Sequence, residues 1–232
     1  MGLANDWTPV ITSISKLEKR YRLINRVISL GLDVKVRRMG VRLAGPPQGL
    51  VLDAGAGDGS LTIELLKTSN KLNGLVLLDP LLNMLKIAKE VMNDYRAHYV
   101  VGLLEAPPFR DSLFDRVYMA FSLRDVYDLD KALRKLSLIM RKNAKLTVID
   151  IGKPDQKSLQ LVFSIYWSIF APFLTLFTVP RAGRLIYMIH PTYRRLLRNS
   201  RLVKQLEKYF KLSLFKQLFL GGIVIIIANK SS

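Results

Sequence analysis

The chain of 232 residues contains no cysteine. Disulfides, thiolate zinc sites and cysteine nucleophiles are therefore excluded. Histidine is nearly as scarce: His98 and His190 are the only two, too few for a histidine-built metal site, so no metal is expected. Acidic residues are the third shortage, with 18 Asp and Glu against 36 Lys and Arg, a net charge of +18 at pH 7. The deficit is uneven. Residues 1–150 carry 23 basic and 16 acidic side chains, a net of +7, whereas residues 151–232 carry 13 and 2, a net of +11. Such a basic C-terminal third points to an anionic partner, either nucleic acid or an anionic membrane face; the plainer alternative is that the excess charge serves solubility. Met1 to Ser15 lack a basic start followed by a long apolar run, so no secretory signal is expected and the chain reads as intracellular.

What is present is apolar and ordered. Half of the residues are hydrophobic, which disfavours disorder, and the length suits one well-formed core. Residues 1–45 read as a basic helical segment: Ile14, Leu17, Tyr21, Ile24, Val27 and Ile28 recur at helical spacing, with Lys16, Lys19, Arg20, Arg22 and Arg26 between them. Gly45-Pro46-Pro47 ends that segment. From residue 46 short apolar runs alternate with amphipathic stretches. Strands are expected at Leu50–Ala54, Gly74–Leu78, Tyr99–Val101, Val117–Phe121 and Lys145–Ile151, and helices from Leu61, over Leu81–Met92 and over Lys131–Met140. That alternation predicts an α/β fold with a mostly parallel sheet covered on both faces. Leu214–Leu220, Gly221-Gly222 and Ile223–Ala228 predict a closing hairpin. Residues 157–210 form an apolar helical insertion in the domain 46–232. Its part from Ser158 to Pro180 has no charged residue, which is borderline for a membrane span; polar residues and Pro172 favour a helix with one face on the domain and the other toward a greasy substrate or the bilayer surface.

The turn Asp53-Ala54-Gly55-Ala56-Gly57-Asp58-Gly59 joins the first strand to the first helix of the sheet. Glycines there let a ligand approach backbone N–H groups at a helix start. In dinucleotide enzymes that place holds a pyrophosphate. Here Asp53 and Asp58 would repel a phosphate and suit a ligand with a sulfonium or ammonium charge. Asp79 ends the second strand about 20 residues later, where an acid accepts the hydroxyl hydrogens of a ribose; its alternative role is a helix N-cap.

These features resemble the ubiquinone/menaquinone-biosynthesis C-methyltransferase family, within the class I S-adenosylmethionine methyltransferases. Tyr21-Arg22-Leu23-Ile24-Asn25, Ser29-Leu30-Gly31 and Arg37-Arg38 are similar to its N-terminal signature. Phe121-Ser122-Leu123-Arg124-Asp125-Val126 resembles its motif after the fourth strand, Ile149–Pro154 its L-E-F-S-K-P, and Tyr193–Leu196 its Y-x-Y-L. The resemblance implies a Rossmann-like fold with seven strands, a lid on the substrate side formed by residues 1–45, and methyl transfer to a ring carbon of a prenylated quinol. It implies S-adenosylmethionine held by Asp53, Gly55, Ala56, Gly57, Asp79, Pro80, Leu104 and Phe121. Four positions depart from the pattern: Arg22 replaces an Asp, Val36 a Trp, Asp125 an Asn, and Leu103 an acidic or amide residue that meets the adenine amine, leaving backbone groups near Leu103–Glu105 to hold adenine.

Methylating an aromatic carbon calls for an electron-rich ring, and a phenol with pKa near 10 must be helped toward the phenolate. Arg124 is expected to stabilise that charge and Asp125 to accept a proton; the structural alternative is an ion pair or a helix cap. Asp150, Lys153, Tyr21 and Tyr193 are the expected substrate-side residues. His98 is expected to pack and His190 to start a helix. Arg194, Arg195, Arg198, Arg201, Lys204 and Lys208, interleaved with leucines, suggest an interfacial helix pair on an anionic membrane. The resulting expectation is a cytoplasmic enzyme, peripheral on the membrane, that does not act on nucleic acid, with its oligomeric state open. The competing readings are an RNA methyltransferase and a non-catalytic component of a quinone-synthesis complex.

Overall fold

A computed structural model describes residues 2–3, 7–17, 20–68, 72–93, 95–178 and 189–230. One seven-stranded sheet runs through it. Its strands are β1 (Gly49–Ala54), β2 (Leu72–Asp79), β3 (His98–Val101), β4 (Phe114–Ala120), β5 (Met140–Ile151), β6 (Phe210–Leu218) and β7 (Ile223–Lys230). The spatial order is β3-β2-β1-β4-β5-β7-β6. The first five pair in parallel, and β7 lies antiparallel between β5 and β6. This is the Rossmann-like class I methyltransferase sheet that the alternating pattern and the family resemblance implied. Strand order reverses beside β1, so the crevice at the carboxyl ends of β1 and β4 is where such a sheet takes a ligand.

Continuous apolar runs form the central strands because both faces are covered. On one face Leu52, Met119, Leu146 and Ile226 pack under the helix Leu129–Ile139. Asp128 starts that helix by accepting the N–H groups of Asp130 and Lys131. On the other face Val51, Leu77, Ile149 and Ile225 meet three helices. In chain order the helices are α1 (Trp7–Leu17), α2 (Tyr21–Ile28), α3 (Leu32–Ala44), α4 (Ser60–Leu66), α5 (Leu82–Met92), α6 (Leu129–Ile139), α7 (Lys157–Ile165), α8 (Ala171–Thr178), α9 (Ile189–Arg195) and α10 (Asn199–Glu207). Val36, Val41 and Ala44 of α3 belong to the sheet's own core. A π-helical turn, Tyr166–Phe170, joins α7 to α8. Residues 179–188 of the insertion lie outside the described residues.

Three local expectations are corrected. The hairpin strand stops at Leu218, not Leu220, because Phe219 and Leu220 take φ of 50° and 54° in a 3-10 turn. The leucines of the basic C-terminal stretch face the protein and not a membrane: Leu206 is fully buried, and Leu197 and Leu202 pack against the sheet core. His98 is exposed at the start of edge strand β3 and does not pack.

Candidate active site

The turn after β1 rests on left-handed backbone, with φ of 72° at Gly55 and 53° at Gly57. At Gly55 a Cβ would also collide with Cβ of Ser122. The turn therefore sits tight against the loop after β4, where Ser122 Oγ donates to the Ala54 carbonyl at 2.9 Å. At Gly57 the reason differs. A Cβ there would find only Met84 and Tyr21 carbons, 3.9 and 4.0 Å away, so glycine keeps the floor of a cleft clear.

Asp79 stands at the edge of that cleft. Its Oδ2 accepts the Gly57 N–H at 2.8 Å and its Oδ1 the Leu81 N–H at 2.9 Å. The carboxylate braces the glycine turn and fixes the chain ahead of α5; it does not cap the helix, whose flanking residue is Leu81. Burial pushes its pKa up to about 6, against the pull of those two N–H groups. Asp58 accepts Ser60 N–H and Oγ–H and pairs with Arg22, whose Nε lies 3.0 Å from Oδ2 and whose Nη2 donates to the Asp58 carbonyl at 3.1 Å. The departure at Arg22 thus fastens α2 to the glycine turn.

Gly55, Ala56, Gly57, Asp79, Pro80, Leu104 and Phe121 all line the cleft, as do Leu103 and Glu105. Trp7, Ile11 and Ile14 of α1 line it as well, and Asn83 Nδ2 holds α1 in place by donating to the Ser15 carbonyl at 2.9 Å. Asp53 is placed differently: it lies wholly buried beneath the cleft, where Thr62 Oγ1 donates to it at 2.6 Å. Burial pushes its pKa up to about 7, with Thr62 and Arg37 opposing. The charged groups in the cleft wall are Asp58, Asp79, Glu105 and Asp125 against Arg37. That acidic wall, the clear floor and the oriented Asp79 carboxylate fit a ribose-bearing cation such as S-adenosylmethionine better than a pyrophosphate.

A second, largely apolar cavity of about 200 Å³ lies between α2, α3 and the α7–π segment. Ile28, Val36, Phe163, Trp167 and Ile223 supply apolar wall; Asn25, Ser29, Asp33, Arg37, Arg124 and Tyr166 supply the polar groups. Arg37 and Phe121 line both spaces and mark their junction. The guanidinium of Arg37 lies 4.8 Å from the Phe121 ring centre and its Nη1 donates to Asp33 Oδ2 at 2.9 Å.

Arg124 and Asp125 occupy a 3-10 turn after β4. Arg124 Nε is 3.4 Å from Asp125 Oδ1, and Nη1 is 3.6 Å from Asp150 Oδ1. Arg124 faces the apolar cavity and Asp125 the cleft. Burial pushes both carboxyls up, Asp150 to about 6, while Arg124 pulls them down. Burial also works against the Arg124 charge, but the two carboxylates outweigh it and hold its pKa above the ordinary value.

The expected substrate residues are scattered. Tyr21 lines the cleft, and burial raises its phenol pKa. Asp150 lines a smaller crevice on the far side of Arg124. Tyr193 is buried among Ile24, Ile28 and Trp167. Lys153 donates to the Arg194 carbonyl at 2.7 Å and sits 5.9 Å from the Tyr193 ring centre. Neither Lys153 nor Tyr193 lines the cleft or the apolar cavity. His190 lies in the first turn of α9, bonded to Ser164 Oγ at 2.8 Å. Sequence reasoning missed Asn25, Asp33 and Arg37 as site residues. The available signal was an acid and a base four residues apart on the face of α3 that carries Val36 and Val41.

The chain matches the model of the ubiE/COQ5 methyltransferase family over residues 4–217. It is 29% identical over 188 residues to the ubiquinone/menaquinone biosynthesis C-methyltransferase UbiE of Shewanella oneidensis, covering 79% of this chain and 72% of that protein. Its fold is similar to an Aquifex aeolicus SAM-dependent methyltransferase (TM-score 0.64, 18% identity, 95% of this chain and 98% of that one). A Thermotoga maritima SAM-dependent methyltransferase, described as a possible histamine N-methyltransferase, is equally close (TM-score 0.65, 17% identity, 95% and 99% covered). At these identities the solved structures speak for the fold alone. The family match spans nearly the whole chain, and it falls on a strand order and a glycine cleft built for S-adenosylmethionine: the protein is an S-adenosylmethionine-dependent methyltransferase and belongs to the ubiE/COQ5 methyltransferase family.

Proposed function

We propose that this enzyme methylates a ring carbon of a prenylated quinol at the surface of an anionic membrane. The observation that carries the reading is the apolar cavity of about 200 Å³ that shares the wall residues Arg37 and Phe121 with the cofactor cleft. A flat ring seated at that junction would reach the cleft, and its prenyl chain would lie among Ile28, Phe163 and Trp167. The relative in Shewanella oneidensis carries the name of a quinone-pathway C-methyltransferase, which supports the same class of acceptor.

When bound, S-adenosylmethionine supplies an electrophilic methyl group; the ring carbon gains it and loses a proton, and S-adenosylhomocysteine is left. The chain's own residues do the rest. Asp79 orients the cofactor ribose. Asp125, on the cleft side of the pair, accepts the proton directly or through water. Arg124 orients Asp125. Arg124→Ala should lower turnover on the order of 100-fold, as loss of a placed donor does, with cofactor affinity kept.

The surface around the cavity supports membrane access. Lys157–Leu176 is long and apolar enough to cross a membrane, yet only 22% of its most apolar window is buried. Leu161, Ile165, Ile169 and Phe173 form an exposed row along it, while Trp167 and Ala171 pack on α2 and α9. A helix so docked lies along a bilayer surface more readily than through it. Leu30 and Phe219 line the cavity and are exposed, and Leu220 is 75% exposed. All three are held at positive φ, a strained state for bulky side chains that is retained where it serves a function. Arg26, Lys157 and Lys216 flank these apolar groups in the sequence, suiting anionic headgroups.

The test is methyl transfer from S-adenosylmethionine to a short-chain demethylated naphthoquinol in anionic vesicles, with the product's ring methyl located by mass spectrometry. Transfer that requires vesicles, together with vesicle flotation lost in Leu220→Asp/Phe173→Asp, is the expected result. Absence of transfer to benzoquinols and naphthoquinols by protein that binds the cofactor would overturn the acceptor class. Full flotation of the double variant would overturn the surface.

A further inference from the structure

We propose that Arg37 is an acceptor-binding residue: its guanidinium holds the ionised ring oxygen next to the carbon to be methylated. This rests on the quinol reading for the kind of acceptor, but only on the cavity for the phenolate. Arg37 is 5% exposed, and a charge so buried in a protein is paired or functional. Here it is only partly paired. Nη1 donates to Asp33; among the described residues Nε and Nη2 donate to no protein acceptor. Those donors belong to a group that lines both the cofactor cleft and the apolar cavity, where a ring and an electrophilic methyl must meet.

The second buried arginine at the cavity, Arg124, also keeps an unpartnered donor, its buried Nε, but it does not line the cofactor cleft. Arg124 stands between two carboxylates, Asp125 at 3.4 Å and Asp150 at 3.6 Å, so the trio has a net negative charge. Arg37 has one hydrogen-bonded carboxylate partner, Asp33, and Asp53, buried below, also feels its charge. Phe121 fixes the guanidinium plane from one side, leaving its edge to meet an oxygen. A guanidinium edge presents fixed N–H donors that match such an acceptor. The Asp33 contact, four residues back on α3, aims the side chain as a positioning contact does.

The assay needs no methyl transfer. 4-Nitrophenol, whose phenolate is coloured, is titrated into protein saturated with S-adenosylhomocysteine across pH 5.5–8.5. The wild type should bind phenolate over phenol by about tenfold, seen as a downward shift of the bound probe's titration by about one pH unit. Arg37→Lys should keep part of that preference, and Arg37→Met should lose it. Because Arg37→Met strands Asp33 and invites misfolding, Asp33→Asn/Arg37→Met serves as the second variant, with S-adenosylhomocysteine affinity as the folding check. A purely structural Arg37 would leave the phenolate-to-phenol ratio unchanged in any folded variant, and that result overturns the proposal. So does failure of the wild type to bind the probe. Retained phenolate preference with no transfer to quinols would sink the quinol reading alone.

Discussion

Cofactor affinity should fall as pH drops through 6, and Asp79 should be the cause. Its two oxygens each accept one backbone N–H, from Gly57 and Leu81, which leaves further lone pairs for a ribose diol. Only the carboxylate accepts two hydroxyl hydrogens there. Burial raises the pKa to about 6 in the cofactor-free protein, so cofactor binding must draw off a proton at acidic pH. With that pKa about nine-tenths of the protein is competent at pH 7 and about one-tenth at pH 5, which weakens binding roughly tenfold, or about 1.4 kcal/mol. Isothermal titration of S-adenosylhomocysteine between pH 5 and 8, in buffers of different ionisation enthalpy, reads both the affinity and the proton count. About half a proton should be released per binding event near pH 6, at the midpoint of the titration. Asp79→Asn should remove most of the pH dependence and weaken binding at pH 7 by about 1–3 kcal/mol, because its amide cannot accept from both N–H groups and the diol. Asp53 and Asp150 also titrate in this range, but neither lines the cleft, so their contribution would survive in the variant. An affinity flat from pH 5 to 8, or an unchanged slope in Asp79→Asn, would refute the reasoning.

Folding stability should carry the opposite pH signature. Asp53, Asp79 and Asp150 all have raised pKa values in the folded cofactor-free state. The folded chain therefore holds more protons than the unfolded one between about pH 4 and 7, and stability declines as pH rises across that window; thermal melts at pH 5 and pH 7.5 check the sign, with the lower melting point expected at 7.5. Gly55→Ala places a Cβ against Ser122 at positive φ and should cost about 1–3 kcal/mol of stability, measured by urea unfolding. Arg22→Ala removes the clasp between α2 and Asp58; because Arg22 is partly exposed, stability should change by no more than about 1 kcal/mol, whereas the dissociation rate of bound S-adenosylhomocysteine in stopped flow should rise several-fold.

Local chemistry was legible and long-range pairing was not. The β1 and β2 runs, the glycine turn and the acid at Asp79 are written in consecutive residues, because period, turn chemistry and strand ends are near-neighbour properties. The Phe121–Val126 motif was likewise placed correctly at the carboxyl edge, where order reversal beside β1 opens the crevice. Arg37 enters the sequence reading only as part of the N-terminal signature, because the groups it meets at the site, Phe121 and the cavity wall from the insertion, lie more than 80 residues away. Lys153 and Tyr193 misled for the same reason: their types fit a pocket, but Lys153 found the Arg194 carbonyl and Tyr193 the core beside Ile24. The amphipathic α10 looked like a membrane element until the sheet supplied a protein surface for Leu206, and amphipathicity alone does not say which apolar phase a helix covers.

The charge layout sets a limit on what the arginines can contribute. Carboxylates dominate the cleft wall, while Arg37 faces the cavity as well, so each reactant charge meets its complement in the ground state. Methyl transfer from a sulfonium to a phenolate cancels both charges on the way to the transition state. Any interaction that favours the phenolate in the ground state is thus partly lost as the bond forms, and only differential binding accelerates chemistry. Arg37 must then help by raising the fraction of acceptor that is ionised at neutral pH, not by stabilising the transition state. This separates two kinds of acceptor. For a quinol with pKa near 10, Arg37→Lys should cut turnover at pH 7 by less than about tenfold, since it loses only part of the shift of about one pKa unit. For an electron-poor analogue already ionised at pH 7, the same substitution should leave turnover unchanged or slightly raise it. Equal losses for both acceptors would place Arg37 in transition-state stabilisation instead, and would mean that its guanidinium follows a charge that persists as the methyl group moves.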